Sequence, residues 1–100
     1  MTVQSINPST GEALQTFEET TPAALDRILD EAVAAYHDWR RRPYAERAGR
    51  MRQAARLLRE QRSEYARIMA LEMGKPLKQG EAEAEKCAWA CDYYAEHAAA

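Results

Sequence analysis

Leu71-Glu72-Met73-Gly74-Lys75-Pro76 reads as a helix stop followed at once by a helix start. Gly74 can take the left-handed conformation that closes a helix, and Pro76 just beyond cannot continue one. Upstream, Tyr65, Ile68, Met69 and Leu71 give a short helical pattern, with Ser63 as its expected N-cap. Downstream, from about Leu77 to the end of the chain, Ala84, Cys87, Ala88, Cys91, Tyr94, Ala95 and Ala98 recur at helical spacing. Glu81, Glu83 and Glu85 fall early in that last helix, where negative charge suits the positive pole of the dipole.

Further out the pattern continues. A helix is expected from about Tyr44 to Arg62, with Ala48, Met51, Ala55 and Leu58 on one face. Before it, Thr21-Pro22 supplies a hydroxyl at N-cap and a proline at N1, where its missing N–H costs nothing. The helix so opened carries Leu25, Ile28, Leu29, Ala32, Val33 and Tyr36 as one apolar stripe, and Arg40-Arg41-Arg42-Pro43 ends it. Residues 3–17 read as a β-hairpin: two apolar-polar alternations flank Asn7-Pro8-Ser9-Thr10-Gly11, with Leu14 and Phe17 available for burial. A lone two-stranded hairpin is barely stable in water, so it must lie against something else.

Composition excludes several classes. The 100 residues leave room for one small core, with 14 basic and 16 acidic side chains and a formal net charge of −2. That balance gives no reason to expect a nucleic-acid or membrane partner. No stretch approaches the roughly 20 apolar residues a membrane span needs, and the N-terminus lacks a signal-peptide pattern. Two cysteines make no disulfide framework, so a cytoplasmic, reducing environment is expected.

Each candidate chemical group has a bland reading beside it. Cys87 and Cys91 share a helix face and could join His97 at a metal, but no second ligand pair exists; buried, inert cysteines are the better expectation. Arg52, Arg56 and Arg59 share a face, yet no aromatic residues are interleaved to stack bases, while Glu46 can pair with Arg50 and Glu60 with Arg56. A solvated helix face follows. Gly74-Lys75 is no phosphate loop, because Met69 and Pro76 stand where glycine and a hydroxyl residue are required. No G-x-G-x-x-G occurs either. Glu72 is the residue to single out, because a carboxylate at a helix C-terminus opposes the dipole unless a donor or cation compensates. On spacing alone it is an exposed glutamate, or one paired with Lys75 or Lys78.

Taken in order, Asn7-Pro8-Ser9-Thr10-Gly11-Glu12, the helix ending in Trp39, Arg47 after Pro43, Leu57-Leu58, Glu72-x-Gly74-Lys75-Pro76 and Tyr93-Tyr94-Ala95 resemble the N-terminal region of NAD(P)-dependent aldehyde dehydrogenases. Leu71-Glu72-Met73-Gly74-Lys75 with Glu85-Lys86-Cys87-Ala88 and Tyr93-Tyr94-Ala95-Glu96 looks closest to the short succinate-semialdehyde dehydrogenases. The resemblance implies an α/β parent fold with a Rossmann-type cofactor domain, to which this mostly α segment contributes a short N-terminal hairpin and about four helices. Residues 1–100 are then expected to be the N-terminal part of that domain, truncated within the last helix.

The implied reaction oxidises an aldehyde, expected to be succinate semialdehyde, to the carboxylate with NAD or NADP. The complete enzyme would be a homo-oligomer taking a small aldehyde. The family's cysteine nucleophile, glutamate base and Gly-rich loop lie beyond this segment, so no catalytic or cofactor-binding residue is assigned here and the segment alone is expected to be inactive. Some relatives hold a structural monovalent cation through backbone oxygens near the Asn-Pro turn and an acidic side chain before the Gly-Lys pair; the matching positions are Ser5, Ile6 and Glu72. The alternative is a free-standing helical interaction module without catalytic activity, which would need its apolar stripes to find partners within the chain.

Overall fold

The computed structural model describes residues 1–100. Its elements are β1 (Thr2–Ile6), β2 (Ala13–Glu18), α1 (Pro22–Trp39), α2 (Tyr44–Glu60), α3 (Arg62–Met73) and α4 (Leu77–His97). This is the expected hairpin followed by four helices.

β1 and β2 pair antiparallel, from Thr2 opposite Glu18 to Ser5 opposite Gln15 and then Ile6 opposite Ala13. The register slips between Ser5 and Ile6, a bulge that sets the hairpin's closed end apart from its ladder. The turn closes as its residue types require. Asn7 Oδ1 accepts the Ser9 N–H at 2.9 Å, the Gly11 N–H donates to the Asn7 carbonyl at 2.8 Å, and Gly11 sits at φ 76°, where a side chain would be strained.

Thr21 caps α1, its hydroxyl accepting the Ala24 N–H at 3.2 Å. Gly74 stops α3 at φ 71°, with its N–H on the Ala70 carbonyl at 3.0 Å. Two boundary expectations need correction. α2 ends at Glu60 rather than Arg62, and Ser63 does not cap α3. Gln61 is the single residue between the two helices, at φ −106° and ψ 15°, and its carbonyl accepts the N–H groups of both Glu64 and Tyr65. The bridge-region backbone of one residue makes the corner, and the Ser63 hydroxyl is left free to donate to Glu81 Oε1 at 2.8 Å.

α4 is the central element, and α2 and α3 both pack on it. The contact is made by the smallest side chains available. The buried residues are Ala55 on α2, Ala66 on α3, and Gly80, Ala84, Ala88 and Ala95 on α4. Nothing larger than alanine is buried. A Cβ added at Gly80 would lie 2.9 Å from both the Cα and the Cβ of Ala66, so the helices approach there as closely as backbones allow.

The cysteine expectation is overturned here. Cys87 is exposed and Cys91 only half-buried, because Gly80, Ala84 and Ala88 occupy the seam and a side chain bulkier than alanine is turned to its flank. Leu14 and Phe17 are likewise exposed. So is the α1 stripe: Leu25, Ile28, Leu29, Val33 and Tyr36 all face solvent, and α1 packs against no other helix to a comparable extent.

The result is a slab of 47 × 40 × 17 Å with a radius of gyration of 17.6 Å, against about 13 Å for a compact chain of this length. Its accessible surface is 7891 Å², where a compact globular chain of this size exposes roughly 5,800 Å². The excess, about 2,100 Å² by that comparison, is of the order of a full protein interface. The apolar stripes that a free-standing module would have to bury within the chain stay open.

The seam makes a sharp prediction. Gly to Ala in a helix ordinarily stabilises by about 1 kcal/mol, but Gly80→Ala in the full-length protein should destabilise by about 1–3 kcal/mol through overpacking. Denaturant midpoints of the two proteins measure this; a Gly80→Ala protein more stable than its parent would refute the close approach.

Candidate functional site

The two most distinctive stretches of sequence meet in space. The end of α3 lies under the turn of the hairpin, where a Cβ built on Gly74 would stand 3.4 Å from Pro8 Cγ and 3.9 Å from Ser9 Oγ. Beside this contact the Ser5 hydroxyl donates to Glu72 Oε1 at 2.8 Å, tying together residues 67 apart in sequence. Ser5 is the one residue of β1 that is not fully exposed, and the bulge begins at it. Ile6, the next residue, ends the strand.

Thus Glu72 is neither a free glutamate nor paired with Lys75 or Lys78, as spacing alone had suggested. The donor that offsets its unfavourable place at a helix C-terminus is the Ser5 hydroxyl. Lys75 turns the other way and pairs with Glu83 on α4. The Lys75 ammonium, by its hydrogen bond and then by its charge, holds the Glu83 carboxyl below its ordinary value of 4.5. A carboxylate is a hard oxygen donor, suited to Na⁺ or K⁺ rather than to zinc. No group of three or more His, Cys, Asp or Glu side chains that could hold a metal ion is present.

A second cluster, not foreseen from sequence, locks α2 and α3 onto α4. Arg59 donates from Nε to Glu85 Oε1 at 2.9 Å and from Nη1 to Asp92 Oδ2 at 2.7 Å. These bonds, Glu85 first, raise its pKa further above its ordinary value. With Ser63 on Glu81, three acidic residues of α4 (Glu81, Glu85 and Asp92) are bound laterally to the neighbouring helices. None lies in the first turn of α4, which corrects the expectation that the dipole accounts for them. The readable signal was the spacing of Glu81, Glu85 and Asp92 along one helix face. The Arg56–Glu60 pair forms as expected at 3.6 Å, but Glu46 pairs with Arg42 at 3.1 Å instead of Arg50. Arg42 also grips Asp38 at 3.0 Å, and that hydrogen bond is the main cause of its raised pKa.

His97, once a candidate ligand, stacks on Tyr93 with ring centroids 4.3 Å apart, and its Nδ1 lies 2.8 Å from the Tyr93 carbonyl. No helix is long and apolar enough to cross a membrane.

Two measurements probe these contacts. In a double-mutant cycle on the full-length protein, Ser5→Ala and Glu72→Gln should be coupled by about 0.5–1.5 kcal/mol; additive effects would show that the hydrogen bond contributes nothing. The Glu83 pair has a definite pH sign. A carboxyl whose folded pKa is depressed adds stability that is complete above its unfolded value, near 4.5, and lost as pH falls through the folded value. Lys75→Met should therefore flatten the fall in Tm between about pH 5 and pH 3, and an unchanged slope would dismiss the pair.

The comparisons with known proteins agree with this geometry. The model of the aldehyde dehydrogenase family matches residues 1–100. The chain is 40% identical over 98 residues to a probable NADP(+) succinate-semialdehyde dehydrogenase of Synechocystis sp., covering 98% of this chain and 22% of that one. It is 40% identical over 93 residues to the NAD(P)+ succinate semialdehyde dehydrogenase Sad of Escherichia coli, covering 93% of this chain and 20% of that one. Among solved structures, the succinic semialdehyde dehydrogenase of Streptococcus pyogenes in complex with NADP+ matches with a TM-score of 0.89 at 38% identity, over 96% of this chain and 21% of that one. The chain thus spans about a fifth of the length of these relatives. With hairpin, Gly-Lys stop and α4 in the arrangement of a solved relative, and the family match running from end to end, the chain belongs to the aldehyde dehydrogenase family.

Proposed function

We propose that residues 1–100 form the N-terminal outer layer of the cofactor-binding domain of an NAD(P)+-dependent aldehyde dehydrogenase whose substrate is succinate semialdehyde. The observation that carries this is the pairing of a slab without a core of its own with relatives of that activity, about 40% identical, that are five times longer. In the complete enzyme the aldehyde and one water would become the carboxylate and two protons, the two electrons leaving as hydride to the nicotinamide. The bound nicotinamide supplies that hydride acceptor. The positive-φ glycines of this chain, Gly11 and Gly74, close a turn and a helix. Its own residues act by holding the helical layer rigid through the alanine seam, Arg59 and the Lys75–Glu83 pair.

One local role fits Ser5, Ile6 and Glu72. The Ser5–Glu72 contact brings a carboxylate to the end of β1, which supports a structural Na⁺ or K⁺ held by Glu72 and the backbone oxygens of Ser5 and Ile6. Such an ion would staple the hairpin to α3 and offset the charge of Glu72 at the helix terminus.

Spectrophotometry at 340 nm tests the reading. The full-length enzyme should reduce NADP+ or NAD+ with succinate semialdehyde, and the hundred-residue chain alone should give no turnover; turnover by the short chain, or a preference of the full enzyme for an unrelated aldehyde, would refute it. In that enzyme Glu72→Ala should abolish the dependence of Tm on Na⁺ or K⁺, and an intact cation response would remove the ion from the site.

A further inference from the structure

We draw no further inference here: the strongest candidate, the groove of about 570 Å³ along the first half of α4 where Lys75, Gln79, Lys86 and Cys87 gather, rests on surface lysines, an exposed thiol and a helix N-terminus, with no buried, unpartnered polar group aimed into it to point to a ligand.

Discussion

The close approach of α4 to α2 and α3 through glycine and alanine is the constraint on which the rest depends. Helices that meet through Gly80, Ala84 and Ala88 come so near that a Cβ placed on Gly80 would stand 2.9 Å from Ala66. Such contact gives shape and rigidity but buries little apolar area, and buried apolar area is what stabilises a domain. The large side chains are thereby sent outward. Leu25, Ile28, Val33, Trp39, Tyr44 and Tyr94 all remain substantially exposed, so the same seam that makes the slab flat leaves its apolar faces open.

Polar contacts then hold the flat arrangement in register. Arg59 reaches two carboxylates of α4, Ser63 a third, and Lys75 a fourth. Exposed pairs of this kind contribute little energy singly, but their directions are specific, and together they fix how far α4 can slide along its neighbours. The hairpin is attached at one end only, through Ser5 to Glu72 and Pro8 against Gly74. These contacts lie next to each other, and a cation at Glu72 would act at the only place where hairpin and helices are joined by a side-chain hydrogen bond.

Local rules made much of this legible. The Thr21-Pro22 start, the Gly74 stop and the Asn-Pro-Ser-Thr-Gly turn each follow from the conformational limits of one or two residues, and each stands where expected. Ser63 failed because a serine near a helix start has two possible partners, the local backbone or a distant side chain, and Gln61 had already made the corner. Cys87 and Cys91 failed for a related reason. Helical spacing shows which residues share a face, but not that the packed face admits nothing larger than alanine. The Arg59 cluster was legible only as acidic residues sharing a face of α4, because their partner lies 26 and 33 residues away, and helical periodicity says nothing about which neighbouring helix lies alongside. Glu72 was picked out by resemblance and by its place at a helix end, but its partner Ser5 needed coordinates.

Calorimetry of the isolated hundred-residue chain tests the central claim, that this is a layer and not a self-sufficient domain. The account predicts a broad transition of low enthalpy, a van't Hoff enthalpy that does not equal the calorimetric one, and strong binding of an apolar dye to the bare face. A single sharp transition with equal enthalpies and no dye binding would contradict it.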